Sequence, residues 1–222
     1  PIWPILCRLR SIAELAAAEI HRVSEQNQQS VDVVIETPIG PITVRLDTGK
    51  APVTASNFLS YADRGFYDGG RFHRTVRLDN QSNAGLKIDV TDLGIADTGG
   101  TKPLPNDQIP IEVIQGGINP ARKAEQGPPI LLERTSVTGL SHRDGTISMG
   151  RTTADTAVSD FFICINDQPE LDFGGRRNVD GQGFAAFGQV IAGMDFVRAI
   201  QTAPSEGQSL TPPVPITRVS RA

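Results

Sequence analysis

Cysteine, histidine and tryptophan are nearly missing from this chain: its 222 residues contain two, three and one of them respectively. Cys7 lies near the N-terminus and Cys164 inside the apolar run FFICI, a placement that makes neither a disulfide framework nor a zinc site. Cys164 is expected to be a small buried apolar residue. His21 and His142 stand outside any metal-ligand spacing and are expected at the surface, and no metal or other cofactor is expected. Positive charge is not in excess either. The formal net charge is −4, and Arg176-Arg177 is the one adjacent arginine pair, read as a solvated turn. No basic stripe is present, so no nucleic-acid partner is expected. No run approaches the ~18 apolar residues of a membrane span. The opening PIWPILCRLR is broken by Arg8 and Arg10, so no intact signal peptide is visible. A signal removed ahead of Pro1 fits a periplasmic or secreted location, which is the expectation over a cytoplasmic one. Gly-x-Ser-x-Gly and His-Glu-x-x-His motifs are also absent, which weighs against a hydrolase. Asp155, Asp160 and Asp167 then read as loop and rim charges rather than as an acid–base pair.

What the chain has in quantity is glycine (22) and proline (16), against 5% aromatic residues. That balance favours short strands and many turns over long helices. With 38% hydrophobic residues, the length suits one medium domain or one domain with appendages.

Residues 1–30 read as an N-terminal helical extension and linker. SIAELAAAEIHRV puts Ile12, Leu15, Ala16, Ile20 and Val23 on one helical face, with Ser11 and Glu14 at capping-box spacing. Residues 31–222 read as the main domain. VDVVIE and ITVRLD flank the turn TPIGP as a hairpin. A helix follows in APVTASNFLSYADRG, with Val53, Phe58, Leu59 and Ala62 on a common face and Gly65 at its end. Then come strands in RFHRTV, IPIEVIQGG, GTISMG, DFFICIN, FAAFGQVI and PVPITRVS, with a short helix, MDFVRAIQ, before the last. The count is eight strands and two core-sized helices. The expectation is a mainly β fold: a closed eight-stranded antiparallel β-barrel capped by two α-helices, with the extra N-terminal helix. Residues at about 77–108 carry little patterning and read as an insertion, expected to border the functional groove. Within it KIDVTDLG echoes PIEVIQGG; the second copy, followed by QGG, is the expected barrel strand.

The stretch DGGRFHRTVRLDN packs an aromatic, an imidazole and a guanidinium together, with no acidic residue beside Arg74. FHR, IQGG, GTISMG, DFFICI and FAAFGQVIAGMD, in this order, resemble the cyclophilin family of peptidyl-prolyl cis–trans isomerases, and KAPVTASNF is similar to that family's first helix. The resemblance runs from about Val31 to Val219. It implies an eight-stranded barrel with two helices and an enzyme that accelerates rotation about X-Pro bonds in folding or flexible polypeptides. No cofactor is implied, and a monomer is expected. The resemblance makes Arg74 the catalytic residue, a permanently charged fork that cannot act as a base. His73, its neighbour on a strand, should face the other way and serve as a structural histidine.

The resemblance also implies the substrate groove. Phe162, Leu171 and Phe184 match its apolar walls, with Phe161 directed into the core by alternation. Met149 and Gly150 match the strand beside the bound peptide, and Gln115 matches the glutamine that positions the arginine. The chain departs from the family pattern in three ways. Glu112 and Val113 replace a phenylalanine-methionine pair, Asp160 replaces a glutamine, and Glu170 replaces a bulky aromatic. An acidic groove of this kind is expected to prefer peptides with lysine or arginine near the proline. A carboxylate of Glu112 turned into the groove would pair with Arg74 and weaken it. The competing reading is therefore a non-catalytic proline-peptide binding module or chaperone on the same barrel.

Overall fold

The computed structural model describes residues 29–81 and 109–222. The expected N-terminal helix and most of the insertion lie outside the described residues. The described residues are mainly β, with ten antiparallel strands in one sheet and few helices. In chain order these are β1 (Ser30–Glu36), β2 (Ile42–Asp47), helix α1 (Pro52–Asp63), β3 (Gly70–Val76) and β4 (Val113–Gly117), followed by the single-turn helix α2 (Thr135–Thr138). Then follow β5 (Thr146–Met149), β6 (Phe161–Cys164), β7 (Ala185–Ala192), helix α3 (Met194–Gln201), β8 (Ser205–Glu206), β9 (Ser209–Ile216) and β10 (Arg218–Arg221).

All eight expected strands are present. The extra two arise because a two-residue strand, β8, precedes the last one, and because the last one divides at Thr217. β9 pairs with β3, whereas β10 pairs with β1. The order across the sheet is β10-β1-β2-β7-β5-β6-β4-β3-β9-β8. Its two ends share no ladder, so hydrogen bonds do not close the sheet as the expected barrel requires. The chain itself passes from one end region to the other: β9 runs on into β10 through Thr217, whose N–H donates to the Glu36 carbonyl at 2.8 Å.

Alternation along the strands sorts side chains as the sequence requires. In β2, Ile42, Val44 and Leu46 are buried while Arg45 between them is exposed. α1 begins with Pro52 in its first turn, where the missing N–H costs nothing, and Gly65 follows its end at φ +64°. Its buried face carries Ala55, Phe58, Leu59, Tyr61 and Ala62. Val53 does not belong to that face: it is 42% exposed. The first turn of α1 is given over to a polar contact instead, with Glu133 accepting from the N–H groups of Val53 and Thr54 at 3.1 and 2.8 Å. A carboxylate there suits the positive end of the helix dipole.

The scarce aromatics are concentrated in the core. Phe58 lies 4.9 Å from Tyr67 and 5.5 Å from both Phe161 and Phe187, ring centre to ring centre. Phe72 meets Phe161 edge-on at 5.7 Å. Edge-to-face pairs of this kind add to plain burial. A second, smaller apolar cluster forms apart from this core: Val76, Ile111, Val113, Phe162, Cys164 and Leu171, with Phe184 packed against it.

Candidate active site

β3 carries a bulge that the sequence does not announce. Phe72 pairs with Gly116 and Arg74 with Gln115, so His73 is an extra residue opposite a single step of β4. The register against β9 breaks at the same place. Phe72 and Thr75 are both fully buried, and His73 and Arg74 lie side by side between them. Strict alternation, which would set His73 opposite Arg74, does not run through such an insertion. His73 is half-buried. Burial depresses its pKa, while the Asp160 carboxylate pulls the other way.

Beyond the bulge, pairing across three neighbouring strands lines up two rows on one face. Arg74 faces Gln115, which faces Phe162; Val76 faces Val113, which faces Cys164. Residues two apart in a strand share a face, so both rows belong to one surface, with Thr75, Ile114 and Ile163 behind it. The first row places a guanidinium and an amide beside an aromatic ring, and the second supplies an apolar floor. Leu171 and Phe184 pack into the same apolar cluster, joined by the Phe184 N–H donating to the Leu171 carbonyl at 2.9 Å. Phe184 meets Phe162 edge-on at 5.2 Å.

Arg74 is held by two glutamines. Its Nη1 donates to Gln115 Oε1 at 3.1 Å. Its Nε and Nη2 both donate to Gln208 Oε1, at 2.9 and 2.6 Å. Gln208 is a site residue that the motif comparison misses. It sits in the two-residue turn between β8 and β9, where Gly207 adopts φ +59°, as glycine-first hairpins require. The sequence signal for that turn is the Glu-Gly-Gln-Ser run at 206–209; what directs Gln208 to Arg74 is the pairing of β9 with β3.

His142 is not at the surface. It is 1% exposed and stacks on Phe162 with ring centres 6.0 Å apart. Its Nδ1 lies 2.7 Å from Asp172 Oδ1 and its Nε2 2.9 Å from Ser148 Oγ. Asp172 also accepts from the His142 backbone N–H at 3.1 Å. The order Ser148–His142–Asp172 copies a nucleophile relay in outline, but Ser148 is fully buried and offers no attack path. The trio backs the Phe162 ring.

The remaining candidates divide. Val113 belongs to the same apolar cluster. Met149 is 1% exposed and belongs to the main core; the neighbouring Gly150 N–H donates to the Asp160 carbonyl at 2.7 Å. Asp160 Oδ1 stands 2.5 Å from where a Cβ on Gly117 would be, so only glycine fits at 117 without moving it. The Glu112 carboxylate is engaged away from Arg74: its Oε2 accepts from Asn166 Nδ2 at 2.8 Å and its Oε1 lies 3.5 Å from Gln201 Nε2. Glu170 is ion-paired to Arg176 at 2.6 Å, which lowers its pKa to about 2. Two of the three carboxylates expected to make the groove acidic, Glu112 and Glu170, are thus engaged with other side chains. The Arg176-Arg177 pair is not a plain solvated turn, since Arg177 is 6% exposed and donates to the Ile109 carbonyl at 2.6 Å.

A sequence model of the family described as cyclophilin type peptidyl-prolyl cis-trans isomerase/CLD matches residues 31–221. Peptidyl-prolyl cis-trans isomerase A of Dickeya dadantii is 32% identical over 180 residues, spanning 80% of this chain and 74% of that one. Peptidyl-prolyl cis-trans isomerase B of Escherichia coli is 30% identical over 170 residues, 76% of this chain and 83% of that one. A solved Cryptosporidium parvum cyclophilin type peptidyl-prolyl cis-trans isomerase superposes with a TM-score of 0.61 at 19% identity, covering 87% of this chain and 98% of that one. At that identity the likeness speaks for the fold.

Proposed function

Because the chain belongs to the cyclophilin-type peptidyl-prolyl cis–trans isomerases, we propose that Arg74, gripped by Gln115 and Gln208, carries the isomerisation beside the Phe162–Leu171–Phe184 hollow. Rotation about an X-Pro bond meets a barrier near ~20 kcal/mol because amide resonance must be broken. The protein needs no nucleophile for this. It has to seat the proline ring, keep water from the amide, and favour the twisted state in which nitrogen regains its lone pair.

The hollow performs the first two tasks. Val76, Val113, Phe162, Leu171 and Phe184 offer a dry, ring-sized surface. The guanidinium performs the third: an N–H of Arg74 donates to the imide nitrogen, or to the carbonyl before it, as the bond twists. Such a hydrogen bond is stronger in the transition state than in the ground state, and so raises kcat. Two glutamine carbonyls accept from the fork at Nε, Nη1 and Nη2 and so fix its orientation. The observation that carries this reading is the row Arg74–Gln115–Phe162 across β3, β4 and β6.

The sheet itself we read as the family's eight-stranded barrel, with β9 and β10 as one strand bent at Thr217. The continuous chain between them and the two-residue length of β8 support that reading. A non-catalytic binding module, which rests on Glu112 and Asp160 compromising the site, loses one of those two supports, because Glu112 is engaged with Asn166 rather than with Arg74. An X-Pro peptide isomerisation assay, paired with binding measured by NMR titration, separates the two. Turnover lost in Arg74→Ala with binding kept supports the enzyme; binding without wild-type turnover supports the module.

A further inference from the structure

Leu171 and Phe184, two walls of the hollow, are the ends of one loop, whose apolar side chains contribute little burial. Phe173 and Val179 in that loop are 46% and 73% exposed. Polar straps hold it instead. Arg176 and Arg177 reach Glu170 and the Ile109 carbonyl from within the loop. The third strap comes from outside it. Arg151 follows Gly150 just past the end of β5, and its side chain is 1% exposed. Nη1 and Nη2 donate to the two Asp180 carboxylate oxygens at 2.8 and 2.9 Å, and Nε donates to the Gly183 carbonyl at 2.7 Å. The guanidinium carbon lies 5.2 Å from the centre of the Phe184 ring.

One side chain therefore makes three charge-assisted hydrogen bonds to the last turn before Phe184 and covers the ring that follows. Gly183 is fitted to this. A Cβ there would stand 2.5 Å from the Asp172 carbonyl carbon, so glycine lets the returning strand lie against the outgoing one. The same loop supplies Asp172 to His142, on which Phe162 stacks. The ring column His142, Phe162, Phe184 is thus anchored at both ends by carboxylates of one loop. The Asp180 carboxyl is held below its usual range, chiefly by its hydrogen bonds with Arg151.

We propose that Arg151, through Asp180 and Gly183, is a positioning residue that sets where Phe184 stands and so how tightly the hollow grips the proline ring. The inference rests on the isomerase reading above. Its buried side chain reaches no substrate; it acts through the wall. Phe184 grips the ring alike in the ground and transition states, so its displacement raises KM and leaves kcat near the wild-type value. Arginine is needed rather than charge alone, because the single nitrogen of a lysine cannot reproduce the planar fork whose three nitrogens meet both Asp180 oxygens and the Gly183 carbonyl.

The test is steady-state isomerisation of an X-Pro peptide by wild type, Arg151→Met, Arg151→Lys and Asp180→Asn, with Arg74→Ala as control. Arg151→Met and Arg151→Lys are expected to raise KM roughly ten- to hundredfold, the scale of a misplaced positioning contact, with kcat within about twofold. Asp180→Asn, which keeps the Gly183 bond, should give a smaller rise in the same parameter. A fall in kcat at unchanged KM, or full activity in Arg151→Lys, overturns the proposal. Should Arg151→Met fail to fold, the KM of Asp180→Asn decides alone, and a wild-type value overturns the proposal. If Arg74→Ala itself turns over like wild type, the isomerase reading has failed instead.

Discussion

The side-chain oxygen of Gln208 accepts two hydrogen bonds from Arg74, at 2.9 Å from Nε and 2.6 Å from Nη2, across 134 residues of chain. This grip aims the fork. Gln115 accepts from Nη1 only, whereas Gln208 engages Nε and Nη2 together. A hydrogen bond to a charged group contributes about 1.5–3 kcal/mol. Gln208→Leu is therefore expected to lower kcat roughly ten- to hundredfold, with KM within about twofold, since the hollow is untouched. Gln208→Glu keeps the acceptor but drains charge from the fork, and should fall between the two. Peptide isomerisation kinetics check both; unchanged kcat in Gln208→Leu would remove Gln208 from the site.

Removing Arg74 itself takes away the group on which the twisted imide leans. Arg74→Ala is expected to reduce kcat/KM roughly 10²- to 10³-fold, the cost of one preorganised donor at a reacting centre. Peptide binding followed by NMR should persist, because the apolar hollow remains.

Glu112 lies next in sequence to the Val113 that lines the hollow, yet its carboxylate points to Asn166 and Gln201. Glu112→Gln should leave peptide turnover within about twofold of wild type, since the contact is neither catalytic nor fully buried. A large rise in kcat would mean that the carboxylate does restrain Arg74.

His73 gives the fold a pH dependence. Burial holds its imidazole below the ordinary range near 6.5, against the opposing pull of Asp160. The folded state thus keeps His73 neutral where the unfolded chain already binds a proton. Its contribution to stability is fully present above about pH 6.5 and is lost as pH falls from there through the folded-state value. Urea denaturation between about pH 7 and 5 should show wild type losing stability faster than His73→Gln. Parallel curves would refute this assignment.

Phe58 tests the core. It is fully buried with three aromatic neighbours within 5.5 Å. Phe58→Ala should cost about 3–5 kcal/mol in chemical denaturation, far more than Val53→Ala at the exposed end of the same helix.

Phe161 and Phe162 show how much was legible beforehand. Adjacent strand residues must face opposite ways, so once one is core the other is free for a pocket, and the structure places them in the two separate clusters. α3 occupies the same residues as MDFVRAIQ because its apolar period is local. His142 shows the opposite: nothing in its neighbourhood announces that Asp172, Ser148 and Phe162 will close around it. The division of the last strand at Thr217 was equally hidden, since a strand's own residues do not state which neighbour it pairs with.

By itself, the amino-acid order determined where strands, turns and helices lie and which face of each is apolar, because alternation, helical period and turn chemistry act over a few residues. Only the tertiary structure decided that Gln208 meets Arg74, that Glu112 does not, that a bulge sets His73 beside Arg74, and that Arg151 braces Phe184. Those outcomes depend on strand adjacency and register, which arise from the burial of the whole core and from no local signal.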